Sequence, residues 1–165
     1  ILWLESNVFS DSNHKMSPPL RTAADVEGII EGIVDGTIDC IATDHAPHAR
    51  EKKMLELDRA PFGILGLETA VGLSVTRLVS TGRIGWPRLV EALSTLPAKI
   101  LGIARGTLRP GAVADITLID PELSWRVDVA KFRSKSVNSP FDGWTLKGRA
   151  VATIVGGRVK YRLER

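Results

Sequence analysis

The residues with the most chemistry to offer stand together at Thr43-Asp44-His45-Ala46-Pro47-His48, which holds two of the three histidines in the sequence. A carboxylate is a hard oxygen ligand that also accepts a proton from water on a metal, so Asp44 is suited to metal-assisted hydrolysis. Pro47 keeps the segment from continuing as a helix, and Asp44 and His48 could converge on one pocket. The same spacing fits a plainer arrangement, in which Asp44 caps loop amides and His45 and His48 are ordinary polar loop residues. A catalytic zinc takes three protein ligands, and no HxH, HExxH or cysteine pair follows to supply the others. Further ligands, if the site is a metal site, are expected upstream of Ile1. His14 reads as a surface histidine. The single cysteine, Cys40, lies in an apolar run and reads as a small hydrophobe rather than a reactive thiol. One cysteine forms no intrachain disulfide and fits a reducing compartment, so a cytoplasmic location is expected.

The elements that must carry this segment follow from periodicity. Val26, Ile29, Ile30, Ile33 and Val34 recur at helical spacing, with Thr22 as N-cap, Asp25 at N3 as an acidic capping box, and Gly36 as the stop. Ile38 to Thr43 then reads as a buried strand of the parallel type. Asp44 would therefore sit just past a strand's carboxyl end, where parallel α/β folds place ligands and catalytic groups. A second helix, apolar nearly all round, is expected over Leu67 to Thr81 and ends at Gly82; Pro87 opens a third through Leu93 and Pro97 a short fourth through Ile103. After about Arg105 the signals become short strands: Ala114 to Ile119 before Asp120-Pro121, Trp125 to Val127, and a hairpin of Val151 to Val155 and Arg158 to Leu163 about Gly156-Gly157. In the last strand Arg158, Lys160 and Arg162 alternate with apolar residues and form a solvated face. The expected organisation is α/β over residues 1–104 and a small β-domain over 105–165.

Composition narrows the function classes. Lys and Arg number 22 against 19 Asp and Glu, a net charge of +3 spread along the chain, so no concentrated basic stripe is present for nucleic acid. Apolar runs such as Gly28 to Val34 break well short of the roughly 18 residues a membrane span needs. The chain starts at Ile1 with no signal-peptide pattern, and reads as the interior of a longer protein.

Two motifs taken together resemble the bacterial dihydroorotase family: Ile38 through His48, containing TDHAPH, and Ala60-Pro61-Phe62-Gly63 continuing to Thr69. The likeness extends to Pro18-Pro19-Leu20-Arg21, to Gly106 through Asp115, and to Asn138-Ser139-Pro140-Phe141-Asp142-Gly143-Trp144, nearly the whole chain. The Gly106 to Asp115 segment is shared widely among amidohydrolases, whereas the TDHAPH and APFG pair is specific.

The resemblance implies the C-terminal part of a metal-dependent (β/α)8 TIM barrel with a small β-domain. It implies the reversible, zinc-dependent cyclisation of N-carbamoyl-L-aspartate to dihydroorotate in pyrimidine synthesis, with two Zn2+ per complete site. Asp44 then matches the aspartate that binds zinc and shuttles the proton between the metal-bound hydroxide and the ring nitrogen. His48 matches a residue on the substrate carboxylate, and Phe62 and Gly63 match backbone contacts to the ring, a Pro-Phe-Gly turn being able to present unpaired backbone groups. Ser17 stands where the family usually has Asn as a substrate contact, keeping a hydroxyl but losing reach. The family's remaining ligands fall outside this sequence, so the chain alone is expected to be inactive. A homodimer and aspartate carbamoyltransferase are the partners the resemblance offers, alongside the small-molecule substrate. The competing readings are an inactive dihydroorotase-like scaffold for aspartate carbamoyltransferase, and a hydantoinase or allantoinase acting on another ring.

Overall fold

Helix α1 runs Ala23–Asp35, and its start is the reciprocal cap that Thr22 and Asp25 encode. The Thr22 hydroxyl accepts from the Asp25 N–H (3.3 Å), and the Asp25 carboxylate accepts from the Thr22 N–H (3.0 Å) and hydroxyl (2.7 Å). These bonds hold the Asp25 carboxyl below its ordinary pKa. Gly36, at φ +87°, ends the helix in the left-handed region. Ile30 and Ile33 are buried, while Ile29 and Val34 remain largely exposed, so the apolar stripe is only half covered.

The computed structural model describes residues 11–164. They fall into two units: the chain through Gly32 with Thr43–Ala70 and Arg126–Thr145, and Ile33–Ala42 with Val71–Trp125 and the chain from Leu146.

The first unit carries a one-turn helix α2 (Arg50–Lys53); beyond it, helix α3 (Ala70–Ser74) continues as a wider, π-type turn over Val75–Val79. This is shorter at both ends than the sequence suggests, but its covering is as expected, with Leu73, Val75 and Leu78 all buried. Gly72 and Gly148 allow the close approach of helix and sheet: a Cβ at Gly72 would lie 3.0 Å from Leu146 and Trp125, and one at Gly148 only 2.6 Å from Val75.

The two short helices expected from Pro87 and Pro97 are instead one continuous run. Helix α4 (Trp86–Val90) passes through a π-type segment (Glu91–Thr95) into α5 (Leu96–Ile100). The wider turn is what lets Pro97 sit inside the run. In the π pattern the Leu96 N–H bonds the Glu91 carbonyl, so the N–H that Pro97 lacks would have gone to the Ala92 carbonyl. That carbonyl accepts from Ile41 N–H instead (3.0 Å).

The same helix explains a correction. Ile38 to Thr43 is not a buried strand: it forms no ladder among the described residues, and Asp39 and Ala42 are exposed. Its backbone is held by side-chain and helix contacts, with Arg88 donating to the carbonyls of Ile38 (2.6 Å) and Ile33 (2.8 Å) and Ile41 bonding Ala92. A strand needs at least one neighbouring strand to pair with, and among the described residues none stands beside it. Cys40, within it, is half-buried.

The sheet has the order β1-β2-β3, with β1 Ile116–Arg126, β2 Thr145–Val155 and β3 Arg158–Arg162. β1 does not stop at Asp120-Pro121 but absorbs it and the expected Trp125 strand. The Asp120 carboxylate accepts from the N–H groups of Glu122 (3.0 Å) and Leu123 (3.1 Å), and an edge position tolerates the missing proline donor. β2 and β3 form the expected antiparallel hairpin, with Val155 opposite Arg158 and a register shift between Thr153 and Ile154. Arg158, Lys160 and Arg162 are exposed. No helix among the described residues is long and apolar enough to cross a membrane.

Candidate functional site

The first unit contains the TDHAPH loop, the APFG turn and the Asn138 segment. Loop and turn run side by side: His45 bridges Ile64 in parallel register, and the Ala46 N–H donates to the Ile64 carbonyl (3.0 Å). Asp44 opens the loop at φ 44°, a left-handed conformation that aspartate tolerates better than most residues. Its carboxylate is exposed and makes no hydrogen bond or ion pair among the described residues. Among the described residues it caps no amide, unlike the plainer arrangement the sequence also allowed.

The two histidines are built differently. His45 Nδ1 accepts from the N–H groups of Gly66 (3.1 Å) and Leu67 (3.3 Å), so that nitrogen carries no proton and the ring bolts the loop to the end of the turn. Gly66 is needed there because a Cβ would meet the Thr43 carbonyl at 2.7 Å. His48 Nε2 lies 2.7 Å from the Phe62 carbonyl. A carbonyl only accepts, so Nε2 carries the proton and donates; Nδ1 is then an acceptor in the neutral ring and a second donor in the imidazolium.

The structure thus brings His48, Phe62 and Gly63 together. Gly63, at φ +138°, approaches so closely that a Cβ would stand 2.6 Å from Ala46 Cβ and 2.8 Å from His48 Nε2. The backbone groups expected to be unpaired in this turn are engaged. The Phe62 carbonyl holds His48, the Gly63 N–H donates to the Lys15 carbonyl (2.9 Å), and the Gly63 carbonyl accepts from Lys53 Nζ (3.2 Å) and Asn138 Nδ2 (3.1 Å). Ser17 is exposed and makes no hydrogen bond to these residues among those described. Its neighbour Lys15 reaches the turn instead, with Nζ 4.5 Å from the centre of the Phe62 ring.

Asn138 and Lys53, to which sequence reasoning gave no role, support the site. Asn138 is buried and binds loop and turn at once. Lys53, 6% exposed, donates to the carbonyls of Pro61 (3.0 Å) and Gly63, accepts the Ser12 hydroxyl on its own carbonyl, and has its pKa pushed down by burial, opposed by the Asp11 charge. Glu68 accepts from the N–H groups of Arg133 (2.9 Å) and Ser134 (3.0 Å). His14 is largely covered rather than on the surface, its Nδ1 3.3 Å from the Asp11 carboxylate. Beside His48 lies a cavity of about 600 Å³, lined among others by Arg50, Lys53, Asn138 and Asp142.

Among the described residues no three His, Cys, Asp or Glu side chains gather to hold a metal ion. Asp44, exposed and unpaired, offers one carboxylate to a hard cation; His45 does not, its Nδ1 being committed to two amides.

A model of the amidohydrolase family matches residues 6–160. The dihydroorotase of Geobacter metallireducens is 59% identical over 152 residues, which cover 92% of this chain and 36% of that protein. The dihydroorotase of Pelotomaculum thermopropionicum is 58% identical over 149 residues, 90% of this chain and 35% of its own length. Among solved structures, L-hydantoinase (dihydropyrimidinase) from Arthrobacter aurescens matches with a TM-score of 0.85 at 36% identity, over 92% of this chain and 35% of that one. D-hydantoinase (dihydropyrimidinase) from a Thermus species matches with a TM-score of 0.84 at 33% identity, over 92% and 34%. The chain therefore spans little more than a third of the length of the relatives it matches.

Proposed function

The chain belongs to the amidohydrolase family, and within that family we propose that it forms the C-terminal part of a dihydroorotase, with barrel and β-domain segments over residues 1–104 and 105–165. The observation that carries this is the 59% identity to a dihydroorotase, against 36% to the L-hydantoinase. The meeting of His48, Phe62 and Gly63 at one point supports the same reading.

The reaction closes N-carbamoyl-L-aspartate to dihydroorotate with loss of water, and reopens it. Zinc, held by Asp44 and by groups outside the described residues, would polarise the carbonyl of the reacting amide. Asp44, with no partner for its carboxylate among the described residues, takes the proton from the attacking water and returns it to the ring nitrogen on opening. In closure the same proton runs the other way. His48 holds the substrate carboxylate. Its Nε2 is committed to Phe62, so Nδ1 is the ring nitrogen left to face the carboxylate. Phe62 and Gly63 flank the substrate ring, and Ser17 offers a hydroxyl from the adjoining strand of chain. The lone cysteine supports a reducing, cytoplasmic setting.

The test is turnover by the complete, zinc-loaded protein of dihydroorotate, hydantoin and allantoin under one set of conditions. Preference for dihydroorotate is expected. Turnover of hydantoin or allantoin without dihydroorotate would replace this reading by the other ring substrates, and failure on all three would favour a scaffold for aspartate carbamoyltransferase.

A further inference from the structure

Asn138 is 2% exposed, and every hydrogen-bonding part of its carboxamide is used. Its Oδ1 accepts from the His48 N–H (3.1 Å), and its Nδ2 donates to the carbonyls of Ala46 (2.9 Å) and Gly63 (3.1 Å). Its own carbonyl accepts from the Leu65 N–H (3.0 Å). The amide's orientation is fixed by these partners, because two carbonyls require the NH2 side and an amide N–H requires the oxygen.

We infer that Asn138 is the positioning residue of this site, setting where His48 stands relative to the Phe62-Gly63 turn. It touches the loop on both sides of Pro47 and the turn at Gly63. The packing between them has no slack, since even a methyl group at Gly63 would collide with Ala46 and His48. A shift of either segment therefore moves the His48 ring off the Phe62 carbonyl. Among side chains of this size, an amide alone supplies one acceptor and two donors here. Aspartate keeps the acceptor but sets a carboxylate against two carbonyls, and alanine leaves an amide and two carbonyls with one partner fewer in a buried place. Lys53 holds the same Gly63 carbonyl from a separate segment, so the turn keeps one anchor when Asn138 is changed.

The kinetic half of the test rests on the proposed dihydroorotase reading; the exchange half does not. In the complete protein, Asn138→Asp should raise KM for dihydroorotate about tenfold, the size of one hydrogen bond to a charged group, with kcat per folded molecule changed little. A purely structural role would lower the amount of active protein and reduce kcat with KM unchanged, and that result would overturn the inference. Amide hydrogen exchange decides the question without substrate. Asn138→Asp and Asn138→Ala should lose protection at Ala46, His48 and Leu65 while the α4–α5 run keeps its own. Should neither variant fold, the unaltered protein still answers: the amides of Ala46, His48 and Leu65 should open together. Unprotected exchange at His48 beside protected Ala46 and Leu65 would refute the inference, whatever the substrate proves to be.

Discussion

Asp44 and His48 sit four positions apart in one loop, yet the geometry gives them opposite characters. Asp44 is exposed, without a partner among the described residues and held at a positive φ, while His48 is tied by its backbone to Asn138 and by its ring to Phe62. Their removal should fail differently in the complete protein. Asp44→Asn preserves size and removes the carboxylate proposed as the base, so on that proposal kcat should fall about 10² to 10⁴-fold. His48→Ala removes the proposed contact to the substrate carboxylate and on that proposal should chiefly raise KM, by a margin of about 1.5 to 3 kcal/mol. Steady-state kinetics with dihydroorotate checks both; an unchanged KM in His48→Ala would end its assignment to the substrate carboxylate. Gly63→Ala forces a methyl against Ala46 and His48 at a φ that side chains avoid, and overpacking of this kind costs about 1 to 3 kcal/mol. It should also raise KM by displacing His48. Gly82→Ala is the control, having positive φ but open space around it: it should lower the melting temperature and leave KM alone. At this scale the two short motifs that carry His48 and Gly63 were legible, and the structure brings those two residues together. Asn138 and Lys53 were not, because their partners are backbone carbonyls as far as 92 positions away, which leave no trace in residue type.

Elements were legible where the signal is local. Thr22 and Asp25 spell the α1 start, and the structure shows the reciprocal bonds. Thr22→Ala should therefore destabilise the protein by about 1 kcal/mol, read as a lower denaturant midpoint with unchanged slope. An unaltered midpoint would mean that the cap forms equally well in the unfolded chain. The hairpin about Gly156-Gly157 was legible for the same reason. Signals that depend on a neighbour were misread. Pro97 looks like a helix start, but its missing donor falls opposite the Ala92 carbonyl, which Ile41 satisfies from a distant part of the chain. Ile38 to Thr43 has the residues of a parallel strand, and what it becomes depends on whether other strands flank it. Here Arg88 and Ala92 hold its backbone instead. Asp120-Pro121 looks like a strand end until the aspartate's own side chain takes up the amides that follow.

For the whole molecule, the decisive quantity is the span: 36% of the length of a dihydroorotase that is 59% identical. A catalytic zinc site normally needs three protein ligands, and among the described residues Asp44 stands without two companions. The 165-residue chain by itself should then bind zinc weakly and turn over no dihydroorotate. Dialysis followed by metal analysis, and an activity assay with added zinc, are the measurements; near-stoichiometric zinc or any turnover would show that this chain holds a complete site. The chain alone also leaves large apolar side chains in water, with Ile100 63% exposed, Leu101 71% and Leu108 77%. Apolar surface of this kind drives association when nothing covers it. Sedimentation of the isolated chain should show concentration-dependent self-association, suppressed when these three residues are replaced by serine. A monodisperse monomer of the unaltered chain at high concentration would mean that the exposed side chains are scattered singly and do not form a sticky surface.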